Sequence, residues 1–366
     1  IAEAIVGGID LPGLVERVEI AGPGFINFYL VPGWLNRVLP AIQEEDADYG
    51  KSNAGGGERV QVEFVSANPT GLLHMGNARG GALGDTLAAV LNEAGYVCDK
   101  EYYINDAGNQ VENLGKSVEA RYFELLGRDD YQIPEDGYHG KDIIATAQRL
   151  LDEKGESLVD LSEAERHELM KNYALKEKVA GIRGSLENFG VVFDNWFSEQ
   201  SLHDAGSVHE VVDILREKGY VYEKDGAQWL RATDWGEEKD EVLVRSNGTP
   251  TYFAADIAYH RDKFERGYKR LINIWGADHH GHVARLKGAM TALGYPGDDI
   301  TVILMQLVRL YRGGEIVKMS KRSGKYVTLD ELIEEVGKEA ARFFFIMRSP
   351  DSALDFDLDL AKAESS

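Results

Sequence analysis

An α/β fold, in which a parallel sheet carries a nucleotide-binding turn, is predicted by three features of this 366-residue chain. Apolar, strand-like runs alternate with segments of helical periodicity along most of its length. The first such run, residues 60–65, leads through the Gly-bearing stretch 69–79 into the helical spacing of residues 80–91. Near the other end, the loop 317–322 carries two lysines. A strand, a turn and a helix in this order present backbone amides of partial positive charge, to which a phosphate binds.

The N-terminal segment predicts a small separate unit. Residues 15–20 and 25–30 alternate in polarity around the turn 21–24, which indicates a β-hairpin. We interpret this hairpin as the remnant of a small α/β domain. The Gly- and Asn-rich stretch 49–59 follows as a linker into the main domain.

The main domain then reads as a sheet with two insertions. A second strand is predicted at residues 96–104, and a charged helical insertion at residues 114–186, interrupted at 127–140. The remaining predicted strands comprise a short one at 189–193, a small antiparallel group at 221–222, 228–231 and 241–245, and core strands at 251–258, 270–275 and 301–307. Helices are predicted at 328–336 and 340–347. The site should lie at the carboxyl ends of the parallel strands.

Composition limits the function classes. The chain is 43% hydrophobic and 28% charged, as a globular enzyme is, and its net charge of -22 argues against general polyanion affinity. Any nucleic-acid contact must therefore be local, and residues 308–325 are the basic candidate, although such a segment can also be a solvated basic loop. The single cysteine, Cys98, excludes an internal disulfide and a multi-cysteine zinc site. No apolar run approaches the roughly 18 residues of a membrane span.

Two motifs together resemble the signature pair of class I aminoacyl-tRNA synthetases. They are His74-Met75-Gly76-Asn77 and Lys318-Met319-Ser320-Lys321. Taken singly, the first can be a structural turn with a capping histidine, and the second a solvated loop. Further stretches resemble the arginyl-tRNA synthetase family in particular; they are residues 62–71, 102–110, 193–199, 248–258 and 348–352.

This resemblance implies a Rossmann-like catalytic domain and a division of the chain. Residues 1–55 would be part of an N-terminal domain that binds the tRNA elbow, with its linker. Residues 56–330 would form the class I catalytic domain, with insertions at about 114–186 and 205–248. Residues 331–366 would begin a helical stem toward an anticodon-binding domain. Because the chain begins at Ile1 in a stretch of helical pattern and stops soon after residues 355–359, we expect a fragment that lacks the start of the N-terminal domain and the anticodon-binding domain.

An arginine pocket needs carboxylates, because a guanidinium is planar, permanently charged and carries five donors. By resemblance, Glu199 and Asp256 would accept from the guanidinium, Tyr252 would contact it, Asn68 would hold the backbone end of the substrate, and His279 would complete the pocket. Tyr252 and Asp256 are four residues apart and share a face if the stretch is helical. The alternative is a helix-face pair without a ligand.

By the same resemblance, His74, Asn77, Lys318 and Lys321 would carry the chemistry on ATP. The implied ATP-binding residues are Gly71, His74, Gly76, Asn77, Gly276, Asp278, His279, Met319 and Ser320. Asn77 departs from the family pattern, which has a second histidine there; an amide can donate to a phosphate but carries no charge. Magnesium would be held largely by phosphates and water. We expect no protein metal site, although residues 278–282 contain three histidines.

The predicted function is arginine–tRNA ligase, with L-arginine, ATP and tRNA(Arg) as substrates. Two alternatives remain open: a non-catalytic tRNA-binding relative, and another nucleotidyltransferase that shares the His-x-Gly turn. We expect a monomer located in the cytoplasm, where a single reduced cysteine is stable.

Overall fold

The computed structural model describes residues 1–11, 13–128, 130–317 and 327–363, and the chain divides into two compact units. The first unit is Ile1–Asn53. It contains α1 (Ala2–Gly8), β1 (Val15–Ala21), β2 (Phe25–Leu30) and α2 (Val38–Glu45). Strands β1 and β2 pair antiparallel, so the predicted hairpin is present.

The second unit, Ala54–Ser366, carries the main sheet. Short 3-10 turns join several of its elements. In chain order these elements are β3 (Arg59–Glu63), α3 (Met75–Glu93), β4 (Val97–Ile104), α4 (Asn109–Leu125), α5 (Lys141–Lys154), α6 (Glu163–Asn188), β5 (Asn195–Ser198), α7 (Glu199–Asp204), α8 (Ser207–Glu217), β6 (Val221–Lys224), β7 (Ala227–Leu230), β8 (Glu241–Val244), α9 (Tyr252–Glu265), β9 (Arg270–Gly276), α10 (Val283–Leu293), β10 (Ile300–Met305), β11 (Val308–Arg312), β12 (Glu315–Ile316), α11 (Leu329–Val336), α12 (Lys338–Ile346), β13 (Leu354–Asp357) and α13 (Leu358–Lys362).

Five strands form the main sheet in the order β10-β9-β3-β4-β5, and every neighbouring pair is parallel. From β3 the chain moves outward through β4 to β5, and it later fills the other side with β9 and β10. The direction of winding therefore changes between β3 and β9. In sheets of this kind ligands bind beside the carboxyl ends of the strands at such a change. The predicted Rossmann-like α/β fold is confirmed.

The two faces of the sheet differ in chemistry. One face is apolar and packs Val60, Val62 and Ile272 into a core shared with α3 and α12. The opposite face, which α9 packs against, combines apolar side chains with buried polar ones, among them Glu63, Glu101, Asn273, His260 and Lys263. Burying so many polar groups costs free energy unless they bond to one another, so this face must contain a hydrogen-bonded network.

The insertions have their own cores or sheets. Helices α4, α5 and α6 pack together around a separate apolar cluster. Strands β6, β7 and β8 form the predicted small antiparallel sheet. Strand β11 pairs with β12 and with β13, so the basic stretch after residue 308 starts as a hairpin strand. Its Arg309 pairs with Asp355 and its Arg312 with Glu335, which occupies those two cations within the fold.

Two strand predictions are wrong. Residues 189–193 are not a strand: Phe189 ends α6 with its N–H bonded to the Ser185 carbonyl, and Phe189, Val191 and Phe193 fill the apolar core from a loop. Residues 251–258 are the start of α9, because the Thr251 side chain caps the helix and accepts from the Ala254 N–H. The C-terminal stretch, predicted to be helical, also includes β13.

Candidate active site

The loop that follows β3 is held in a strained conformation. Val65 and Ser66 have φ values of 66° and 37°, a region that costs about 1–3 kcal/mol for a residue with a side chain. The Ser66 hydroxyl donates to Glu63 Oε1 at 2.9 Å and accepts from the Tyr103 N–H at 3.2 Å. These contacts fix the path of the backbone toward the exposed Asn68. The loop is therefore preorganised by buried polar groups of the sheet.

His74 caps the N-terminus of α3. Its Nδ1 accepts from the Gly76 N–H at 3.1 Å, and the Asn77 Oδ1 accepts from the His74 N–H at 3.0 Å. A Cβ at position 76 would lie 3.0 Å from His74 Cε1, so glycine makes room for the ring. The capping alternative is thus real, and it uses Nδ1 as the acceptor. A neutral His74 then carries its proton on Nε2, and Asn77 keeps its amide protons as donors.

The second signature, Lys318, Met319, Ser320 and Lys321, lies outside the described residues. Its downstream flank can be located, because Thr328 bridges His74 and the Leu329 N–H donates to the Leu73 carbonyl at 2.9 Å. The chain that leaves this signature therefore returns to the His74 turn.

Arg79, the last residue of the first motif, has a structural role. It is buried, and its guanidinium donates to three backbone carbonyls, those of Gln306, Ser349 and Ser352, at 2.8, 3.0 and 3.0 Å. It ties α3 to the loops that follow β10 and α12.

Glu199 begins α7 immediately after β5, and only 4% of it is exposed. Its neighbours are Tyr103 on β4, which hydrogen-bonds to it, and His203, whose Nε2 lies 3.5 Å from Glu199 Oε1. The Asn105 amide, in the orientation that satisfies both of its ends, donates to Glu199 Oε2 at 3.2 Å. Burial raises the pKa of Glu199, and the contacts with Tyr103 and His203 offset that rise only in part.

Glu199 and Tyr252, two of the residues predicted to bind arginine, line one cleft, whereas Asp256 is not among its lining residues. The cleft has a volume of about 380 Å³ and is also lined by Ala107, Gly108, His203 and Thr249. Tyr252 is half exposed at the first turn of α9. The predicted helical spacing places Asp256 one turn further along the same helix.

Asp256 is held by two histidines. Its Oδ2 lies 2.6 Å from His282 Nε2, and its Oδ1 lies 3.1 Å from His260 Nδ1. Burial favours the neutral acid, but His260 and His282 outweigh it and hold the pKa of Asp256 well below its usual range. Burial, Glu199 and Asp256 together raise the pKa of Tyr103 well above normal, and Tyr103 hydrogen-bonds to Glu199. Both carboxylates therefore act electrostatically on one aromatic side chain.

The turn after β9, which was predicted to bind ATP and arginine, is exposed. Asp278 and His279 have exposed side chains, 84% and 60%, that lie 3.8 Å apart. A Cβ at Gly276 would lie 2.4 Å from Asp278 Oδ1. Roles for these three residues with ATP, and for His279 with arginine, stay predictions. It is His282, three residues beyond His279, that contacts Asp256.

Sequence reasoning missed Tyr103, His282 and Asp106. Asp106 accepts from the Gln200 N–H at 2.8 Å and from the Ser198 hydroxyl at 2.6 Å, which fixes the start of α7. Tyr103 had a signal, because it precedes the polar stretch at the carboxyl end of a predicted strand. His282 stood in the stretch 278–282, where only His279 was assigned to the pocket and the three histidines together were weighed as metal ligands. Within the described ranges no three His, Cys, Asp or Glu side chains are grouped to hold a metal.

Comparisons with known proteins place the chain in a family. The profile described as "tRNA synthetases class I (R), catalytic domain" matches residues 39–351, and "Arginyl tRNA synthetase N terminal domain" matches residues 1–30. The chain therefore belongs to the class I (R) tRNA synthetase family. Among its helices in the described ranges, none has the length and hydropathy needed to cross a membrane.

The similar proteins agree with this assignment. The chain is 62% identical to the arginine–tRNA ligase of Desulforamulus reducens and 63% identical to that of Heliobacterium modesticaldum, over all of this chain and 65% of each relative. A crystal structure from Campylobacter jejuni, assigned as an arginyl-tRNA synthetase, has a TM-score of 0.83 and 36% identity, over 92% of this chain and 73% of that one. The chain thus spans about two thirds of the length of its curated relatives.

Proposed function

We propose that this chain is the catalytic part of an arginine–tRNA ligase, which joins L-arginine to ATP and then transfers it to tRNA(Arg). The observation that carries the proposal is the buried Glu199, which lines a cleft with Tyr252, together with Asp256, which lies one helical turn beyond Tyr252 on α9. Two acceptors around an aromatic ring suit a planar cation with five donors. The chain's relatives bear the name of this activity.

The activation step needs no covalent catalyst. An oxygen of the arginine carboxylate attacks the α-phosphorus of ATP in line, and the bond to the β-phosphate bridging oxygen breaks with release of pyrophosphate. The protein must position both groups and stabilise charge on the phosphate oxygens. His74 Nε2–H and the Asn77 amide would donate to those oxygens. Lys318 and Lys321 would neutralise the pyrophosphate.

Transfer follows at the same site. A terminal ribose hydroxyl of tRNA attacks the carbonyl carbon of the arginyl-adenylate, and AMP leaves with the phosphate oxygen. The first unit, which matches an N-terminal domain profile, would contribute to tRNA binding. The net charge of -22 suits a contact confined to local basic surfaces. We also propose a monomer that acts in the cytoplasm, where Cys98 stays reduced.

Magnesium would enter with the nucleotide. No carboxylate cluster for the ion occurs among the residues described, so the triphosphate and water would supply its ligands, and Mg·ATP is the substrate. Asn77 would donate to a phosphate oxygen of Mg·ATP as a neutral amide.

Calorimetric titration with non-hydrolysable aminoacyl-adenylate analogues tests the proposal. We expect tight binding of the arginyl analogue and much weaker binding of the lysyl and glutaminyl analogues, because a planar, charged guanidinium with five donors matches two carboxylates better than a point-like ammonium or a neutral amide does. Equal binding of all three would contradict the amino-acid assignment. Failure of any adenylate to bind would favour the tRNA-binding relative without catalysis, and turnover of a nucleoside triphosphate with a phosphorylated small molecule would favour another nucleotidyltransferase.

A further inference from the structure

The two oxygens of Asp256 face two different imidazole rings. Oδ2 lies 2.6 Å from His282 Nε2, and Oδ1 lies 3.1 Å from His260 Nδ1. A neutral imidazole donates through one nitrogen and accepts through the other, so the partner of the far nitrogen determines which one faces Asp256 as a donor.

The tautomer of His282 follows from Arg285. The Arg285 Nε lies 3.0 Å from His282 Nδ1, and a guanidinium nitrogen can only donate. Nδ1 must therefore accept, and the ring proton of His282 is on Nε2, from which it donates to Asp256. Arg285 is itself held by Glu241, which accepts from its Nη1 at 3.0 Å.

The tautomer of His260 follows in the same way from Lys263, which acts through Asn273. The Lys263 ammonium donates to Glu63 Oε2 at 2.7 Å and to Asn273 Oδ1 at 3.0 Å. That contact identifies the Asn273 oxygen, so the Asn273 atom 2.8 Å from His260 Nε2 is its amide nitrogen, a donor. His260 therefore carries its proton on Nδ1 and donates to the Asp256 backbone oxygen at 2.8 Å and to Oδ1.

The charges in this network leave one unbalanced anion. Lys263 is paired with Glu63, and Arg285 with Glu241. With both histidines neutral, the negative charge of Asp256 has no cation of its own in the network. A protonated ring would instead turn an N–H toward another donor and would cancel that charge.

We propose that His260 and His282 are positioning residues, which donate to Asp256 as neutral imidazoles and leave its negative charge for a bound cation. The contact of Arg285 with His282, and that of Lys263 with His260 through Asn273, fix the tautomers. This inference rests on the proposed function, which supplies a guanidinium as the cation. The network makes Asp256 a rigid acceptor that favours a charged side chain over a neutral one of the same shape.

The tautomers can be measured directly. Long-range proton–nitrogen NMR spectra of the full chain labelled in its histidines distinguish the two neutral forms and the protonated ring. We expect His260 in the Nδ1–H form and His282 in the Nε2–H form at neutral pH, with the signals assigned from His260→Gln and His282→Gln variants. Any other form of either ring in the unmutated chain would overturn the inference.

The consequence for binding is tested with a neutral isostere. Citrulline has the shape of arginine without its charge, so the ratio of affinities for arginyl- and citrullyl-adenylate analogues measures the contribution of the anion. We expect Arg285→Met to free His282 and to lower this ratio about tenfold, and Arg285→Lys, which keeps a donor, to restore much of it. Arg261→Met removes another partly buried arginine of the same unit, one that pairs with Glu210 and Glu265, and should leave the ratio unchanged.

The outcomes separate the two proposals. A ratio unchanged in Arg285→Met would overturn the inference, as would an equal fall in Arg261→Met. An unmutated chain that binds the arginyl and lysyl analogues equally would contradict the proposed function instead. The tautomers, which are read from the free chain, would still decide the arrangement of the histidines.

Discussion

Glu199 and Asp256 are both proposed to face one guanidinium, yet their surroundings move their acidities in opposite directions. Burial raises the pKa of Glu199, whereas His260 and His282 hold the pKa of Asp256 below its usual range. Asp256 therefore stays ionised to lower pH than Glu199 does. Because a bound cation favours the ionised form of Glu199, whose pKa is raised in the free chain, binding is coupled to pH.

This coupling gives a first prediction. The guanidinium binds ionised Glu199, so affinity for the arginyl-adenylate analogue should be constant at high pH and fall as the pH drops through the raised pKa of the free chain. The fall should begin above the ordinary glutamate range, about 4.3, and approach tenfold per pH unit below that pKa. Calorimetry in buffers of different ionisation enthalpy would detect the released proton.

Two variants check the source of the effect. Glu199→Gln should bind more weakly and lose this pH dependence, whereas Glu210→Gln, at an exposed carboxylate, should keep both the affinity and its profile. The folded chain holds the Glu199 proton more tightly than the unfolded chain does. The stability that protonated Glu199 contributes is therefore lost as the pH rises through its folded-state pKa. Because Gln cannot ionise, Glu199→Gln should raise the unfolding temperature at neutral pH. A profile that stays flat down to the ordinary glutamate range would disprove the account.

At the scale of elements, the helical insertion depends on a buried ion pair. The Arg166 Nε on α6 donates to Glu119 Oε1 on α4 at 2.6 Å, and its Nη2 donates to the Tyr131 hydroxyl at 3.0 Å. Both charged side chains are nearly inaccessible, 6% and 8% exposed. Removal of Arg166 would leave the buried Glu119 carboxylate without the guanidinium and facing His167, whose Nδ1 lies 3.6 Å from Glu119 Oε2.

We therefore predict that Arg166→Met destabilises the insertion by about 3–5 kcal/mol, while Arg166→Met combined with Glu119→Leu recovers most of that loss. Hydrogen exchange of the amides of α4, α5 and α6, together with urea unfolding, would measure both variants. The control is Arg149→Met, which breaks a more exposed pair with Glu177 and should cost less than about 1 kcal/mol. A double variant no more stable than the single one would show that the pair is not the cause.

At the scale of the whole molecule, the chain divides into two compact units. The proposed pocket, the signature turn and the main sheet all belong to Ala54–Ser366. The apolar clusters of the chain are built from residues of that unit as well. Its folding should therefore depend on its own contacts.

The corresponding prediction is that deletion of residues 1–53 leaves the second unit folded. Differential scanning calorimetry should show the main transition at an unchanged temperature, and the arginyl-adenylate analogue should bind with unchanged affinity. Affinity for tRNA(Arg) should fall, because the first unit is proposed to contact it. A lost or strongly shifted transition would mean that the two units fold as one.

The sequence by itself determined the α/β class and the strand-turn-helix at His74, and it predicted the residue types of the proposed acidic pocket. These features depend on local periodicity and on motifs a few residues long, which a linear pattern records. The strand predictions were wrong where an apolar run suits a strand and another structure equally well. Residues 189–193 fill the core from a loop, and residues 252–258 are helical because Thr251 caps the helix.

Only the tertiary structure decided how the pocket is held. The Lys263 to Glu63 contact joins residues 200 positions apart, and Arg285 reaches Glu241 across 44. Such pairs leave no periodic signal, since each member is simply a polar residue in its own segment. The directions of their hydrogen bonds, and with them the tautomers of His260 and His282, exist only once the sheet and α9 have brought these groups together.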